Sequence, residues 1–163
     1  MFTVRILKRM APVILCLLLP VSAVATVSVP NIIGDHMVLQ QGKTAPVWGK
    51  AAPGESVSVT IGGQTAKTTA DARGLWKVKL SKLKPGGPLE MTITGKDNAL
   101  TVKDILVGEV WIGSGQSNMQ WCVKDSKNGA DEVAAANYPD IRLFYVKRTV
   151  ATTPQDNCEG EWK

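Results

Sequence analysis

Short apolar segments separated by turn residues are the feature of this sequence that most constrains its fold. Between residues 45 and 102 apolar side chains repeatedly alternate with polar ones, as at Val57, Val59 and Ile61. This period of two is expected of a strand with one buried face. The Gly62-Gly63 pair that follows is typical of a tight hairpin. Because helical periodicity is absent from this stretch of sequence, we expect an antiparallel β-sandwich domain over residues 26–104.

The pattern changes after residue 104. Residues 105–112 are almost continuously apolar, which fits either a buried strand of a parallel sheet or a strand in a sandwich core. Residues 131–137 favour a short helix that Pro139 ends, and residues 141–146 predict a further strand. A strand, a helix and a second strand would form the beginning of a second domain, of the α/β class, over residues 105–163.

That second domain is expected to be incomplete. A parallel sheet needs more strands and covering helices than residues 105–163 supply. The sequence therefore predicts a fragment in which a β-sandwich precedes the beginning of an α/β domain.

The first 25 residues have the pattern of a cleaved secretory signal. Three basic residues precede an apolar run over residues 11–21, and Ala23 and Ala25 provide small side chains at the positions that a signal peptidase reads. The alternative is an uncleaved membrane anchor, but the run is short and Pro20 interrupts it. We expect a secreted or periplasmic protein that is not held at a membrane after cleavage.

Charge and ligand spacing exclude several classes of function. The chain has 19 basic and 14 acidic residues, a net charge of +5, and loss of three basic residues with the signal would leave +2. No basic face or motif for nucleic acid is present in the sequence. No cluster of His, Cys and carboxylate residues has ligand spacing, so we expect neither a metal nor another cofactor.

The cysteine count fits export. Cys16 would leave with the signal, and Cys122 and Cys158 would remain. They could form a disulfide in an oxidising compartment. They could also be unrelated thiols, or pair with cysteines beyond Lys163.

Ser117 is the candidate catalytic residue. It follows the apolar run 105–112 in a glycine-rich segment, and such a turn can raise a hydroxyl above a sheet edge with backbone N–H groups beside it. Gly113 and Gly115 allow tight bending there. Because Met119 replaces the last glycine of G-x-S-x-G, the sequence does not match the elbow of common lipases and peptidases.

Several separated stretches together resemble the sialate O-acetylesterase family, which is one of the SGNH-type serine hydrolases. The most specific is GEVWIGSGQSNM over residues 108–119. The resemblance extends from about Val29 to Trp162. Further stretches that occur in the same order as in the family are residues 34–41, 46–49, 71–76 and 141–144.

The resemblance implies hydrolysis of acetyl esters on sugar hydroxyls, with an O-acetylated sugar or sialoglycan as substrate. Ser117 would be the nucleophile and its own backbone N–H one oxyanion donor, while the family's other donors, its Asp and its His lie beyond this sequence. By the same resemblance the histidine of this sequence, His36, lies in a structural segment of the family and is not the catalytic base. Without a base a serine is a poor nucleophile, so we expect the fragment alone to be inactive.

The residues around Ser117 have open roles. Gly115 shapes the turn, and Gln116 and Asn118 either bind substrate or pin the turn, of which pinning is the favoured interpretation. Trp121 either lines the acyl or sugar pocket or simply packs. A separate group of tryptophans is expected in the core because each lies in a strand-like apolar context: Trp48, Trp76 and Trp111.

A non-catalytic function is the alternative to the esterase. The β-sandwich could bind carbohydrate or contact other domains. A downstream D-x-x-H would favour the esterase, and its absence would favour the binding module. The sequence does not predict an oligomeric state.

Overall fold

The computed structural model describes residues 26–163, so the expected signal peptide over residues 1–25 lies outside it. Two short 3₁₀ turns at Ser117–Gln120 and Val123–Asp125 precede the helix α1 (Gly129–Ala135). The strands come earlier in the chain: β1 (Val38–Gln40), β2 (Ala45–Lys50), β3 (Ser56–Ile61), β4 (Gln64–Thr69), β5 (Leu75–Leu80), β6 (Gly86–Thr94) and β7 (Ala99–Gly108). The strand-rich character predicted for this part of the chain is confirmed.

The larger sheet has five strands in the order β1-β7-β6-β3-β4. Its neighbouring strands are antiparallel except for β1, which runs parallel to β7 with Val38 opposite Leu106. The β3–β4 hairpin turns at Gly62 and Gly63, whose φ angles of 55° and 76° lie in the left-handed region. Two such residues are what a two-residue hairpin loop requires, and the predicted hairpin is confirmed.

The smaller sheet pairs β2 with β5 antiparallel, so that Val47 lies opposite Val78. Both strands alternate between buried and accessible residues, the burial pattern of a sheet with one face on a core. That inner face joins the buried side chains of the larger sheet in one hydrophobic cluster. Its fully buried members include Val47, Val57, Val59, Ile61, Leu80, Met91, Ile93 and Ile105.

One charged residue among the described residues, Glu55, is buried, with 9% of its surface exposed. Its carboxylate accepts hydrogen bonds from the backbone N–H of Lys96 at 2.7 Å and of Ala52 at 2.9 Å. These bonds lower the pKa of Glu55, the one from Lys96 most. The side chain therefore joins the turn before β3 to the turn after β6.

The apolar run over residues 105–112 does not form one buried strand. Residues 105–108 are the end of β7 and pair within the larger sheet, so this strand continues across the predicted domain boundary at residue 104. Ile105 is 0% exposed, whereas Trp111 and Ile112 are 88% and 92% exposed. The prediction is wrong after Gly108. Strand pairing ends at that residue, so the apolar side chains that follow have no neighbouring strand among the described residues to pack against.

Beyond β7 the chain has little regular structure. The short helix predicted over residues 131–137 is confirmed as α1, which begins and ends two residues earlier. The strand predicted over residues 141–146 is wrong: this segment forms an isolated bridge between Phe144 and Trp162. A strand needs a partner for its backbone groups, and among residues 26–163 none pairs with this segment beyond that bridge. No helix in the described range is long and apolar enough to cross a membrane.

Candidate active site

Two glutamines at the end of β1, Gln40 as its last residue and Gln41 directly after it, hold the chain where it leaves β7 at Glu109 and Val110. Gln40 and Gln41 donate hydrogen bonds to the two carboxylate oxygens of Glu109, at 2.9 and 2.6 Å. Gln40 also accepts the backbone N–H of Val110 at 2.9 Å through its Oε1 atom. The hydrogen bonds from Gln40 and Gln41 hold the pKa of Glu109 below its ordinary value. The chain therefore leaves the sheet in a defined direction.

Ser117 begins the 3₁₀ turn Ser117–Gln120 and its side chain is exposed. The backbone N–H of Met119 donates to the carbonyl of Gln116 at 3.0 Å, and that of Trp121 donates to the carbonyl of Asn118 at 3.2 Å. Gln116 provides no side-chain cap. In the described chain it is thus the carbonyl groups of Gln116 and Asn118, and not their side chains, that hold the turn.

The side chain of Met119 packs against the two glycines that precede Ser117. A Cβ atom on Gly113 would lie 2.9 Å from Met119 Cε, and one on Gly115 would lie 2.7 Å from Met119 Cγ. Both distances are too short for carbon atoms, so the methionine side chain fills the space that the two glycines leave open. Gly115 therefore admits the Met119 side chain, and its predicted role in bending the turn and supporting the oxyanion stays a prediction.

The hydroxyl of Ser117 has no hydrogen-bond partner among residues 26–163. The backbone N–H groups of Ser117 and Asn118 also lack acceptors in this range, as expected at the start of a helical turn. The described residues therefore combine an accessible hydroxyl with two free backbone donors.

His36 is engaged elsewhere. Its Nδ1 atom is hydrogen-bonded to Asp104 Oδ2 at 2.7 Å, and the same oxygen accepts Arg142 Nη1 at 2.8 Å. The bonds from Arg142 and then His36 lower the pKa of Asp104. Two of the stretches used for the family resemblance, residues 34–41 and 141–144, therefore meet at this carboxylate. His36 makes no hydrogen bond to Ser117 in the described chain, and its structural role stays a prediction.

Further contacts attach the C-terminal segment to the loop before β1. Asn31 donates its backbone N–H to Asn157 Oδ1 and its side-chain Nδ2 to the carbonyl of Cys158, each at 2.9 Å. The indole N–H of Trp162 donates to the carbonyl of Ile32 at 2.9 Å. Sequence reasoning missed these contacts, because they join residues about 130 positions apart through ordinary polar side chains.

The prediction that three tryptophans lie in the core is confirmed for one of them and wrong for two. Trp76 is 3% exposed and belongs to the core as expected. Trp48, at 37% exposed, and Trp111, at 88% exposed, do not, so the core prediction is wrong for both. Trp121 follows the serine turn with 68% of its surface exposed and donates its indole N–H to the carbonyl of Asp125 at 3.2 Å. Its predicted place in a substrate pocket stays a prediction.

Among residues 26–163 there is neither a disulfide nor a group of side chains that could hold a metal ion. Cys122 and Cys158 are both free thiols, so the disulfide that was one of the open alternatives is not formed here. Within the described part of the chain no three His, Cys, Asp or Glu residues are grouped as a metal site.

Comparison with known proteins identifies the family. A sialate O-acetylesterase from Mus musculus is 39% identical over 126 residues, which are 70% of this chain and 23% of that protein. The one from Homo sapiens is 38% identical over 126 residues, 70% of this chain and 24% of that protein. The chain thus spans about a quarter of the length of the curated relatives it matches.

A solved structure of a carbohydrate acetylesterase is also similar to this chain. The crystal structure of a carbohydrate acetylesterase from Xanthomonas citri is 38% identical and has a TM-score of 0.81, with 85% of this chain and 32% of that chain covered. No family model matches the chain. On the strength of the curated relatives and this structural neighbour, the chain belongs to the sialate O-acetylesterase family.

Proposed function

We propose that this chain supplies the nucleophile, Ser117, of a secreted or periplasmic esterase that removes acetyl groups from sugar hydroxyls. The observation that carries the proposal is the exposed Ser117 hydroxyl at the start of a turn, beside free backbone N–H groups. The names of the relatives support the acetyl ester and the sugar as substrate classes. In the proposed architecture a β-sandwich carries the first part of an α/β domain of the SGNH type.

The proposed reaction is acyl transfer through a covalent intermediate. The Ser117 oxygen attacks the acetyl carbonyl carbon, the sugar hydroxyl leaves with a proton, and water then releases acetate. The N–H groups of Ser117 and Asn118 would face the oxyanion, since they have no other acceptor among the described residues. The attack requires a general base, which residues 26–163 do not place at Ser117.

Exposed apolar side chains after β7 support the view that more chain completes the site. Trp111, Ile112 and Val150 are each at least 88% exposed. The adjacent, exposed side chains of Trp111 and Ile112 suit a surface that packs against further protein. The fragment ending at Lys163 is therefore proposed to be inactive by itself.

The test measures acetate release from an O-acetylated sialic acid and from acetylated xylan by the product of the complete reading frame. Ser117→Ala should abolish release, because the nucleophile is lost. Ser114→Ala is the matched control, since Ser114 is an exposed serine of the same segment, and it should retain activity. Full activity of the Ser117→Ala protein would refute the proposal.

A second measurement tests the inactivity of the fragment. The 163-residue chain should hydrolyse 4-nitrophenyl acetate no faster than its Ser117→Ala variant, because no base activates the hydroxyl. Ser117-dependent turnover by this chain would show that the described residues already contain a complete site.

A further inference from the structure

The pairing of β1 with β7 stops at Gly108, where the side chain of Gln40 occupies the place of the next hydrogen bond. The ladder closes with the backbone N–H of Gln41 donating to the carbonyl of Gly108 at 2.8 Å. In a parallel ladder the next bond would run from the N–H of Val110 to the carbonyl of Gln41. The Val110 N–H instead donates to Oε1 of Gln40 at 2.9 Å, and Nε2 of Gln40 donates to the Gln41 carbonyl at 3.2 Å. The Gln40 amide therefore lies between the two backbone groups that the next bond would join.

The partners of this side chain call for an amide. Its oxygen faces a backbone donor, whereas its nitrogen faces two acceptors, the Gln41 carbonyl and, at 2.9 Å, Oε2 of Glu109. An amide offers both kinds of group at once, and these partners fix which way it is turned. A carboxylate in its place would oppose Glu109 and the Gln41 carbonyl. An apolar side chain of the same length would leave the Val110 N–H without this acceptor.

The bond from Val110 is the last one that joins the chain to the sheet before Ser117. Among residues 26–163, no hydrogen bond links residues 111–116 to the strands. Packing does not hold the first of them, since Trp111 and Ile112 are 88% and 92% exposed. The place where the serine segment departs from the sheet is therefore set at Val110.

We propose that Gln40 is a positioning residue for Ser117. Its amide ends the pairing of β1 with β7 and so sets the point and the direction in which the chain departs toward the serine turn. This inference rests on the proposed role of Ser117 as nucleophile, and it adds that a residue of β1 controls where that nucleophile stands. Without the amide, the N–H of Val110 is free to bond the Gln41 carbonyl, which would lengthen β7 and draw residues 111–116 toward the sheet.

The first experiment measures acetate release by the product of the complete reading frame carrying Gln40→Met, which keeps the side-chain length and removes the amide. The kcat should fall about tenfold or more, because a displaced nucleophile reacts slowly, while KM should change little. Gln64→Met is the matched control and should leave kcat unchanged. Gln64 is a half-buried glutamine of β4 in the same sheet, and its amide also bridges backbone groups, the N–H and the carbonyl of Ser81.

An exchange of donor and acceptor tests the geometry. Gln40→Glu should lower kcat as Gln40→Met does, since its carboxylate would oppose Glu109. Adding Glu109→Gln should restore part of kcat, because the introduced amide can donate to the introduced carboxylate, which still accepts the Val110 N–H. A change that only destabilises the fold would not be rescued in this way. If Gln40→Met fails to fold, this pair of variants decides the proposal, and absence of rescue overturns it.

A measurement without catalysis separates this proposal from the esterase. In ¹⁵N NMR spectra of the 163-residue chain, Gln40→Met should shift the backbone signals of Ser117, Asn118 and Met119, and Gln64→Met should leave them in place. Unmoved signals in Gln40→Met overturn the proposal even if Ser117 is the nucleophile, as do unchanged kcat values of Gln40→Met and Gln40→Glu. Full activity of Ser117→Ala would instead refute the proposed function, and the spectra would then decide whether Gln40 positions this segment.

Discussion

The Ile105→Ala and Ile112→Ala substitutions make the same chemical change in one apolar run and should differ sharply in their effect. Ile105 is 0% exposed in β7, and Ile112 is 92% exposed beyond it. Removing three buried carbon groups at about 0.8 kcal/mol each costs about 2.4 kcal/mol of transfer free energy. The cavity left behind raises the expected loss for Ile105→Ala to about 3–4 kcal/mol. Ile112→Ala should change the free energy of unfolding by less than about 0.5 kcal/mol.

The assay is urea unfolding of the 163-residue chain, followed by far-UV circular dichroism. The midpoint should fall for Ile105→Ala with an unchanged m-value and should stay in place for Ile112→Ala. Equal losses for both variants would mean that the run is buried along its whole length. That result would refute the description of β7 as ending at Gly108.

The remaining predictions concern a buried carboxylate, the serine turn and the thiols. The folded-state pKa of Glu55 lies below its ordinary value of 4.5, so its stabilising contribution is present above about pH 4.5 and is lost as the pH falls through the folded pKa. Glu55→Gln should therefore lower the urea midpoint at pH 7, with the difference closing in acid; a constant difference would contradict this. Gly115→Ala should lower kcat of the complete protein by displacing Met119, and adding Met119→Ala should restore part of it; equal activity of the two variants would argue against the packing. Iodoacetamide should alkylate Cys122 faster than Cys158 without reductant, because Cys122 is exposed and Cys158 is partly buried, and mass spectrometry showing neither alkylated would indicate a disulfide.

Local patterns predicted strands before Gly108 but not their arrangement, and they predicted a strand over residues 141–146 that does not form. The alternation from Val57 to Ile61 and the following glycine pair are properties of adjacent residues, and they predicted β3 and its hairpin with β4. The parallel pairing of Val38 with Leu106 joins residues far apart in sequence. No local period encodes such a contact, so the order of the larger sheet could not be predicted.

The surroundings of Ser117 were only partly predictable from sequence. Ser117 was expected in a sharp turn after a buried strand over residues 105–112, whereas β7 ends at Gly108 and the turn begins at Ser117. The packing of Met119 against Gly113 and Gly115 emerged from the structure. Sequence also assigned Trp111 to the core, because an apolar residue in an apolar run is normally buried. Its burial would require neighbours that the described residues do not supply.

The central claim is that the oxygen of Ser117 is a nucleophile, and active-site labelling tests it most directly. The product of the complete reading frame is treated with diisopropyl fluorophosphate, digested and analysed by tandem mass spectrometry. The account predicts a single diisopropylphosphoryl adduct on Ser117, with Ser114 unmodified and acetate release lost in proportion to labelling. Full inhibition with the adduct on another residue, or an active protein that is never labelled at Ser117, would contradict it.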